Sequence, residues 1–332
     1  MPKISVIVPA YNVEKTVAGT LKSIQNQTFS DFEAIIVNDG STDNTADVAK
    51  NFADTDLRFS LISKQNGGLT SARLEGFKHA NGDYIIFIDS DDVMESAMLS
   101  DLISAIEEKD ADVSMCSYFV VYGENKNPVT LPVKTDFIEC DRLIDDYILP
   151  TVSHLPNEVN FGAFIWLRLF KRDIITDDCF LSEREYFNED LLFNMQSVKN
   201  MKKGVAVVNR PLYNYIQTDG SLTLKYRNGL CNKLKNKYSF CSEYFKDFDT
   251  QGKAQERLLY QQVQSAEACI RNAIRLSDKS AFKKEMDALY ADGFFADAIG
   301  KYKNLNLNFK SKLIMYLTAK RFTSALWILL KK

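Results

Sequence analysis

A chain of 332 residues has room for about two packed domains, and its 45% hydrophobic and 26% charged residues are ordinary for a globular protein. The net charge of −3 excludes a general nucleic-acid binder, whose phosphate contacts need clustered Lys and Arg. Two histidines, His79 and His154, are too few for a multi-histidine zinc centre. Six cysteines scattered without a CxxC pair, behind an N-terminus that opens into a strand, predict reduced thiols and a cytoplasmic protein.

Apolar β-forming runs alternate with helical periodicity over roughly the first hundred residues. The spacing predicts a strand over 4–8, a helix over 13–26, a strand over 33–37, and a helix over 43–52 begun by the Ser41-Thr42-Asp43 capping region. Segments 58–62, 69–79, 84–88 and 97–108 continue the alternation, which predicts βαβ units and an α/β, Rossmann-like, mostly parallel sheet. Past Asp112 the pattern loosens into short β-like runs over 113–121 and 204–208, a long connection over 124–135 and an aromatic-rich middle. From about Arg227 long helical periodicity takes over, as in 258–274 and 281–290. The expected division is 1–225, in halves of about 1–112 and 113–225, followed by a helical region over 226–332.

The apolar run from Tyr84 to Ile88 ends in Asp89-Ser90-Asp91-Asp92. Carboxylates packed at the tip of a buried strand need a cation or a hydrogen-bonding ligand, and hard oxygen ligands suit Mg²⁺ or Mn²⁺ better than zinc. Polar clusters also follow the other predicted strands: Pro9-Ala10-Tyr11-Asn12, Asn38-Asp39-Gly40-Ser41 and Lys64-Gln65-Asn66-Gly67-Gly68. In open parallel sheets ligands bind beyond the carboxyl ends of strands, so four loops are expected to converge on one crevice. Asp39-Gly40 alone is equally a common turn; with the other loops, Asp39 is placed to accept a pyrimidine imide N–H while Asp89 reaches ribose and Asp91 a metal. Asn66-Gly67-Gly68, with Arg73 one turn into the next helix, suits an anionic or hydroxyl-rich ligand.

SVIVPAYN, VNDGSTD, NGGLTSAR and FIDSDD, in this order and at these separations, resemble glycosyltransferase family 2, the inverting nucleotide-sugar transferases of GT-A fold. Residues 165–170 and 188–193 resemble that family's acceptor-side motifs, so the resemblance spans about 1–225. It implies that Asp39 and Asp89 hold the nucleoside and that Asp91 ligates Mn²⁺ or Mg²⁺. It also implies that Asp190 is the catalytic base and that Pro9, Tyr11, Asn12, Glu14, Asn66, Gly68, Arg73 and Ser90 contact the nucleotide sugar. Trp166, Arg168 and Glu189 are expected at the donor sugar or acceptor, and Ser221 and Lys225 at the diphosphate. Two positions depart from the family: Arg168 stands where it often has Lys, and Gln217 where it often has an Arg before the Ser of a closing loop. Glu189-Asp190 is also compatible with a helix N-terminus enriched in acids.

The implied activity is transfer of a hexose or N-acetylhexosamine from a UDP-sugar to a surface glycan or a lipid-linked acceptor. Three rivals stand beside it. A phosphohydrolase using Asp89 and Asp91 would place its motif after the first strand; a dinucleotide-binding oxidoreductase would carry GxGxxG there; a non-catalytic glycan-assembly protein would not need both the metal carboxylates and a base. The tail from Lys301 to Lys332 holds eight Lys or Arg and no acid, with apolar stretches too short to span a bilayer. It is expected either to dock on the protein or to lie on an anionic inner membrane surface.

Overall fold

The computed structural model describes residues 1–156, 158, 162–217, 226–248, 250–276 and 278–331. In chain order it has β1 (Ile4–Ala10), α1 (Val17–Gln25), β2 (Phe32–Asn38), α2 (Thr45–Thr55), β3 (Phe59–Ser63), α3 (Leu69–His79), β4 (Tyr84–Phe87), β5 (Val93–Met94) and α4 (Met98–Lys109). There follow β6 (Val113–Tyr122), β7 (Asn125–Val129), β8 (Phe137–Glu139), α5 (Leu149–Val152), β9 (Arg168–Lys171), α6 (Glu189–Val198) and β10 (Gly204–Ile216). Helices α7 (Leu230–Tyr244), α8 (Lys253–Ala273), α9 (Lys279–Ala291), α10 (Gly293–Lys301), α11 (Phe309–Ala319) and α12 (Thr323–Lys331) complete the chain.

One compact unit comprises Met1–Ile148, Phe161–Arg184 and Asn188–Thr218. Its sheet runs β3-β2-β1-β4-β9-β6-β10-β5, with β7 on β6 and β8 on β10. The half made by β3, β2, β1 and β4 is parallel throughout. Every residue of β1 is buried, as expected of a central strand covered on both faces, where a continuous apolar run replaces alternation. Beyond β4 the chain turns mixed: β9 runs antiparallel to both β4 and β6, while β6 and β10 form a long parallel ladder. This is the mixed α/β, mostly parallel GT-A architecture.

Three local features differ from the expected elements. Helix α1 starts at Val17 instead of residue 13 because Asn12 takes φ 52° and the next backbone donors go to side chains of the β2–α2 loop and of the first residue of α2. Val13 N–H donates to Thr45 Oγ1 at 2.8 Å and Glu14 N–H to Asp43 Oδ2 at 3.2 Å. Strand β10 extends well past residue 208, taking Pro211 at a register shift of the ladder, the place where a residue without N–H is tolerated. The long connection over 124–135 contains β7, folded back on β6.

The second unit comprises Leu149–Asn160, Glu185–Phe187 and Asp219–Lys332. Its helices enclose a core of Val263, Ala266, Ile270, Phe282, Met286, Ile314, Met315 and Leu326. The tail is folded into this core: Ile314, Met315 and Leu326 are fully buried, and the Trp327 ring lies 5.3 Å from that of Phe282. The expectation of six reduced thiols is corrected at one pair, because Cys231 on α7 and Cys269 on α8 form a disulfide, their Cα atoms 5.6 Å apart. Their separation of 38 residues hid the pairing, which depends on how α7 packs on α8.

Candidate active site

The loops beyond β1, β2, β3 and β4 are joined by side chains that sequence alone left as separate clusters. Asn12 Oδ1 accepts from Thr42 N–H at 2.8 Å, and Glu14 Oε2 accepts from both Asn44 N–H and Asn44 Nδ2 at 3.0 Å. These two residues therefore fasten the β1 loop to the β2 loop. Pro9 is buried within β1, whereas Tyr11 is half exposed at its end. Asp39 is buried, with one oxygen accepting from Lys64 Nζ at 3.0 Å and Gly67 N–H at 2.9 Å, and the other from Gly68 N–H at 2.8 Å. Its carboxylate thus shapes the Asn66-Gly67-Gly68 turn. Gly68 takes φ +94°, and a Cβ there would meet Glu183 Oε1 at 2.1 Å. Glu183 accepts from Leu69 and Thr70 N–H at 3.1 Å each, capping α3, and Asn66 Oδ1 accepts from Arg184 Nη2 at 2.7 Å.

Arg73, one turn into α3, is buried and bridges the two halves of the sheet. Its Nη2 donates to Asp89 Oδ1 at 3.0 Å and its Nη1 to Asp190 Oδ1 at 2.9 Å, with Glu189 Oε1 3.6 Å from Nη1. Asp190 Oδ2 also accepts from Ile165 N–H at 3.3 Å. Burial alone would lower the Arg73 pKa, but Asp190, Asp89 and Glu189 together raise it, so the guanidinium stays charged. Burial pushes Asp190 above the ordinary carboxylate range against the attraction of Arg73. Glu189 is pushed up to about 7, first by burial and then by the charge of Asp190. The Arg73 Nε–H has no hydrogen-bond partner among the described residues.

Asp91 is exposed at a cavity of about 340 Å³ lined by Asn12, Glu14, Lys15, Asp43 and Ile216. Loss of solvation, then the neighbouring Asp89 charge, raises the Asp91 carboxyl. Ser90 beside it is buried. Among the described residues no group of three or more His, Cys, Asp or Glu forms a ready-made metal cage. Asp92 turns inward: it accepts from Tyr213 Oη at 2.8 Å and Ile216 N–H at 2.7 Å, and burial pushes it up to about 8. The Asp92 bonds tie the acidic loop to the end of β10, a role its place in a run of acids does not announce.

The acceptor-side motif folds partly inward. Trp166 is buried and stacked on Tyr213, ring centroids 4.2 Å apart, and on Phe164 at 4.8 Å. Arg168 is also buried, its guanidinium donating to Tyr147 Oη at 2.8 Å, to the Gly162 carbonyl at 3.0 Å and to the Phe164 carbonyl. These donors hold the chain entering β9. Ser221 and Lys225 lie outside the described residues. Sequence reasoning passed over Lys15, Glu183 and Tyr213 and gave no role to Lys64 or Asp92, although both stand in polar clusters that follow predicted strands.

The profile of the family described as glycosyl transferase family 2 matches residues 5–162. The uncharacterized glycosyltransferase EpsJ of Bacillus subtilis (strain 168) is 30% identical over 260 residues, spanning 78% of this chain and 74% of that protein. The chain belongs to glycosyltransferase family 2. Residues 1–349 of Staphylococcus aureus TarS, solved with UDP-GlcNAc, share the fold with a TM-score of 0.68 at 20% identity, covering 99% of this chain and 90% of that one. The mannosyltransferase PcManGT from Pyrobaculum calidifontis, solved with GDP-Man and Mn²⁺, aligns with a TM-score of 0.50 at 15% identity over 98% of this chain and 86% of its own. This family 2 chain is a glycosyltransferase, which displaces the phosphohydrolase, oxidoreductase and non-catalytic readings.

Proposed function

We propose that this family 2 enzyme is inverting and metal-dependent, and moves a hexose or N-acetylhexosamine from a UDP-sugar to a surface glycan or a lipid-linked acceptor at the inner face of the cell membrane. The observation that carries the reading is the Arg73 bridge: one buried guanidinium holds a carboxylate of the acidic loop, Asp89, and a carboxylate at the start of α6, Asp190. A donor-side group and a base are thereby kept within one side chain's reach. The nucleotide sugars in TarS and PcManGT belong to those proteins and support a nucleotide-sugar donor here.

The donor set fits a hard cation. Asp91, raised first by loss of solvation and then by Asp89, would hold Mn²⁺ or Mg²⁺ with the diphosphate and water completing an oxygen shell, and such an ion when bound offsets charge on the leaving diphosphate. Asp39 and the Asn66–Gly68 turn form the nucleoside end of the crevice, and Glu189 meets sugar or acceptor hydroxyls. Asp190 takes the proton of the acceptor hydroxyl as that oxygen attacks the anomeric carbon from the side opposite the diphosphate. A positioned base of this kind contributes about 10²–10⁴-fold. Arg73 opposes the upward push that burial gives Asp190 and so favours its ionised, proton-accepting form.

Turnover and UDP affinity measured on Asp190→Asn test the assignment. The expected result is a loss of turnover of about 10²–10⁴-fold with UDP binding near that of the unaltered enzyme, since a base acts only in the transition state. Loss of both together would make Asp190 a donor-binding or structural residue, and a product with retained anomeric configuration would exclude single displacement.

A further inference from the structure

The outer surface of the helical unit combines exposed apolar side chains with unopposed cations. Phe309 is 82% exposed, Tyr316 46%, Phe322 52% and Ile328 60%. Four large hydrophobic groups so exposed within twenty residues are not the scattered singles normal on a surface. Phe309 and Tyr316 are seven residues apart on α11, hence on one side of it, with Lys312 and Lys320 on the same exposed side. Phe322 sits in the turn joining α11 to α12. Helix α12 is apolar almost all round, Ala325-Leu326-Trp327-Ile328-Leu329-Leu330, yet only Leu326 of these is fully buried.

Few of the cations around these groups are held in ion pairs among the described residues, although Arg321 lies 5.0 Å over the Tyr290 ring and Lys331 4.7 Å over that of Trp327. Lys301 pairs with Asp297 at 2.5 Å, and Lys331 donates to the carbonyls of Ile274 and Leu276, so the eight charges of the tail are not all unopposed as the sequence suggested. Lys303, Lys310, Lys312, Lys320 and Arg321 are exposed and form no ion pair among the described residues. Where the start of α9 meets the start of α12, Lys279, Lys283, Arg321, Phe322, Thr323 and Ser324 line a cavity of about 510 Å³. Three cations, two hydroxyls and an aromatic wall suit a phosphate-bearing group attached to something apolar. Asp278, next to Lys279, has its carboxylate turned to the Ala281 N–H at 2.8 Å as the cap of α9.

We propose that this face docks on an anionic lipid surface, with Phe309, Tyr316, Phe322 and Ile328 entering the headgroup region and the Lys279–Lys283–Arg321 cavity receiving a lipid phosphate. Among the described residues no helix is long and apolar enough to cross a membrane, and helices of eleven and nine residues with aromatics beside cations match the geometry of interfacial attachment. Charge decides between occupants. A second copy docked through this same face would present the same cations and be repelled, whereas an anionic leaflet strengthens attachment roughly fivefold per nearby Lys or Arg. The inference extends the reading of a membrane-linked acceptor, but the attachment itself requires no sugar transfer.

Sedimentation with vesicles tests it in the full-length protein without any turnover. Vesicles containing phosphatidylglycerol should carry the protein down, pure phosphatidylcholine vesicles should not, and added salt should release it. The triple variant Lys279→Gln, Lys283→Gln, Arg321→Gln should weaken binding about a hundredfold, and Phe309→Ser with Phe322→Ser and Ile328→Ser should weaken it at least about tenfold. Unchanged melting temperatures and donor hydrolysis in solution would confirm that both variants are folded. Equal binding to the two kinds of vesicle, or binding indifferent to both triple variants, overturns the proposal. Self-association that the serine variant abolishes, or saturable binding of inorganic phosphate at the cavity without vesicle binding, would likewise replace the lipid with a second copy or a free anion.

Discussion

Arg73 and the acids around it set the chemistry at the scale of single residues. Three carboxylates from two distant stretches of chain share one buried cation, so they cannot all ionise freely. Glu189, whose proton is held most by burial and next by the charge of Asp190, absorbs the imbalance. Its pKa is raised in the folded state, so its stabilising contribution is fully present below the unfolded value of 4.5 and is lost as pH rises towards about 7. Glu189→Gln removes that loss. Melting temperatures of the variant and the unaltered enzyme should therefore diverge in the variant's favour as pH rises through this window, with Arg73, Asp190 and Asp89 unchanged as the facing groups. A difference that stays flat over the window would show that Glu189 is ionised throughout and that the imbalance lies elsewhere.

Helix α3 is the element on which the site depends, because it carries Arg73 and follows the turn shaped by Asp39. Its seat on the sheet is made by a missing side chain: a Cβ on Gly76 would lie 2.4 Å from Ile7 Cγ2 and 3.2 Å from Val37 Cγ2. Both neighbours are β-branched and fixed in fully buried strands, so they have little room to yield. Gly76→Ala gains about 1 kcal/mol of helix propensity but incurs overpacking of about 1–3 kcal/mol, and a contact this short belongs at the upper end. The expected outcome is a lower urea midpoint together with weaker donor binding, as α3 lifts Arg73 away from Asp89. A midpoint equal to or above that of the unaltered chain would mean that the helix shifts without cost.

At the scale of the whole molecule, donor binding is expected to act as a staple across the sheet unit, since the proposed nucleoside end and the acidic loop lie beyond different strands, β2 and β4. A ligand that binds only the folded state stabilises it by about 2.7 kcal/mol at a hundred times its dissociation constant. UDP with Mn²⁺ should therefore raise the melting temperature clearly, UDP in chelator should raise it less, and Asp91→Asn should abolish the difference between the two. An equal shift in chelator would leave Asp91 without a metal role.

Periodicity and turn chemistry alone determined the α/β class, the alternation of the first hundred residues, the four polar loops at strand ends and the helical C-terminal region. These are local signals, readable within windows of ten to twenty residues. The acidic loop after β4 was legible for the same reason, since a run of carboxylates after four buried apolar residues is conspicuous in one dimension. What only the tertiary structure decided depends on partners far apart in sequence. Nothing local showed that Arg73 pairs with Asp190, 117 residues away, or that Arg168 donates to Tyr147 and to the carbonyls of Gly162 and Phe164. The late start of α1, the cap of α3 by Glu183, the insertion of antiparallel β9 and the Cys231–Cys269 bond arose in the same way. Each satisfies a backbone donor, a ladder or a packed helix pair that exists only once the chain has folded, and no local pattern encodes a partner that distant.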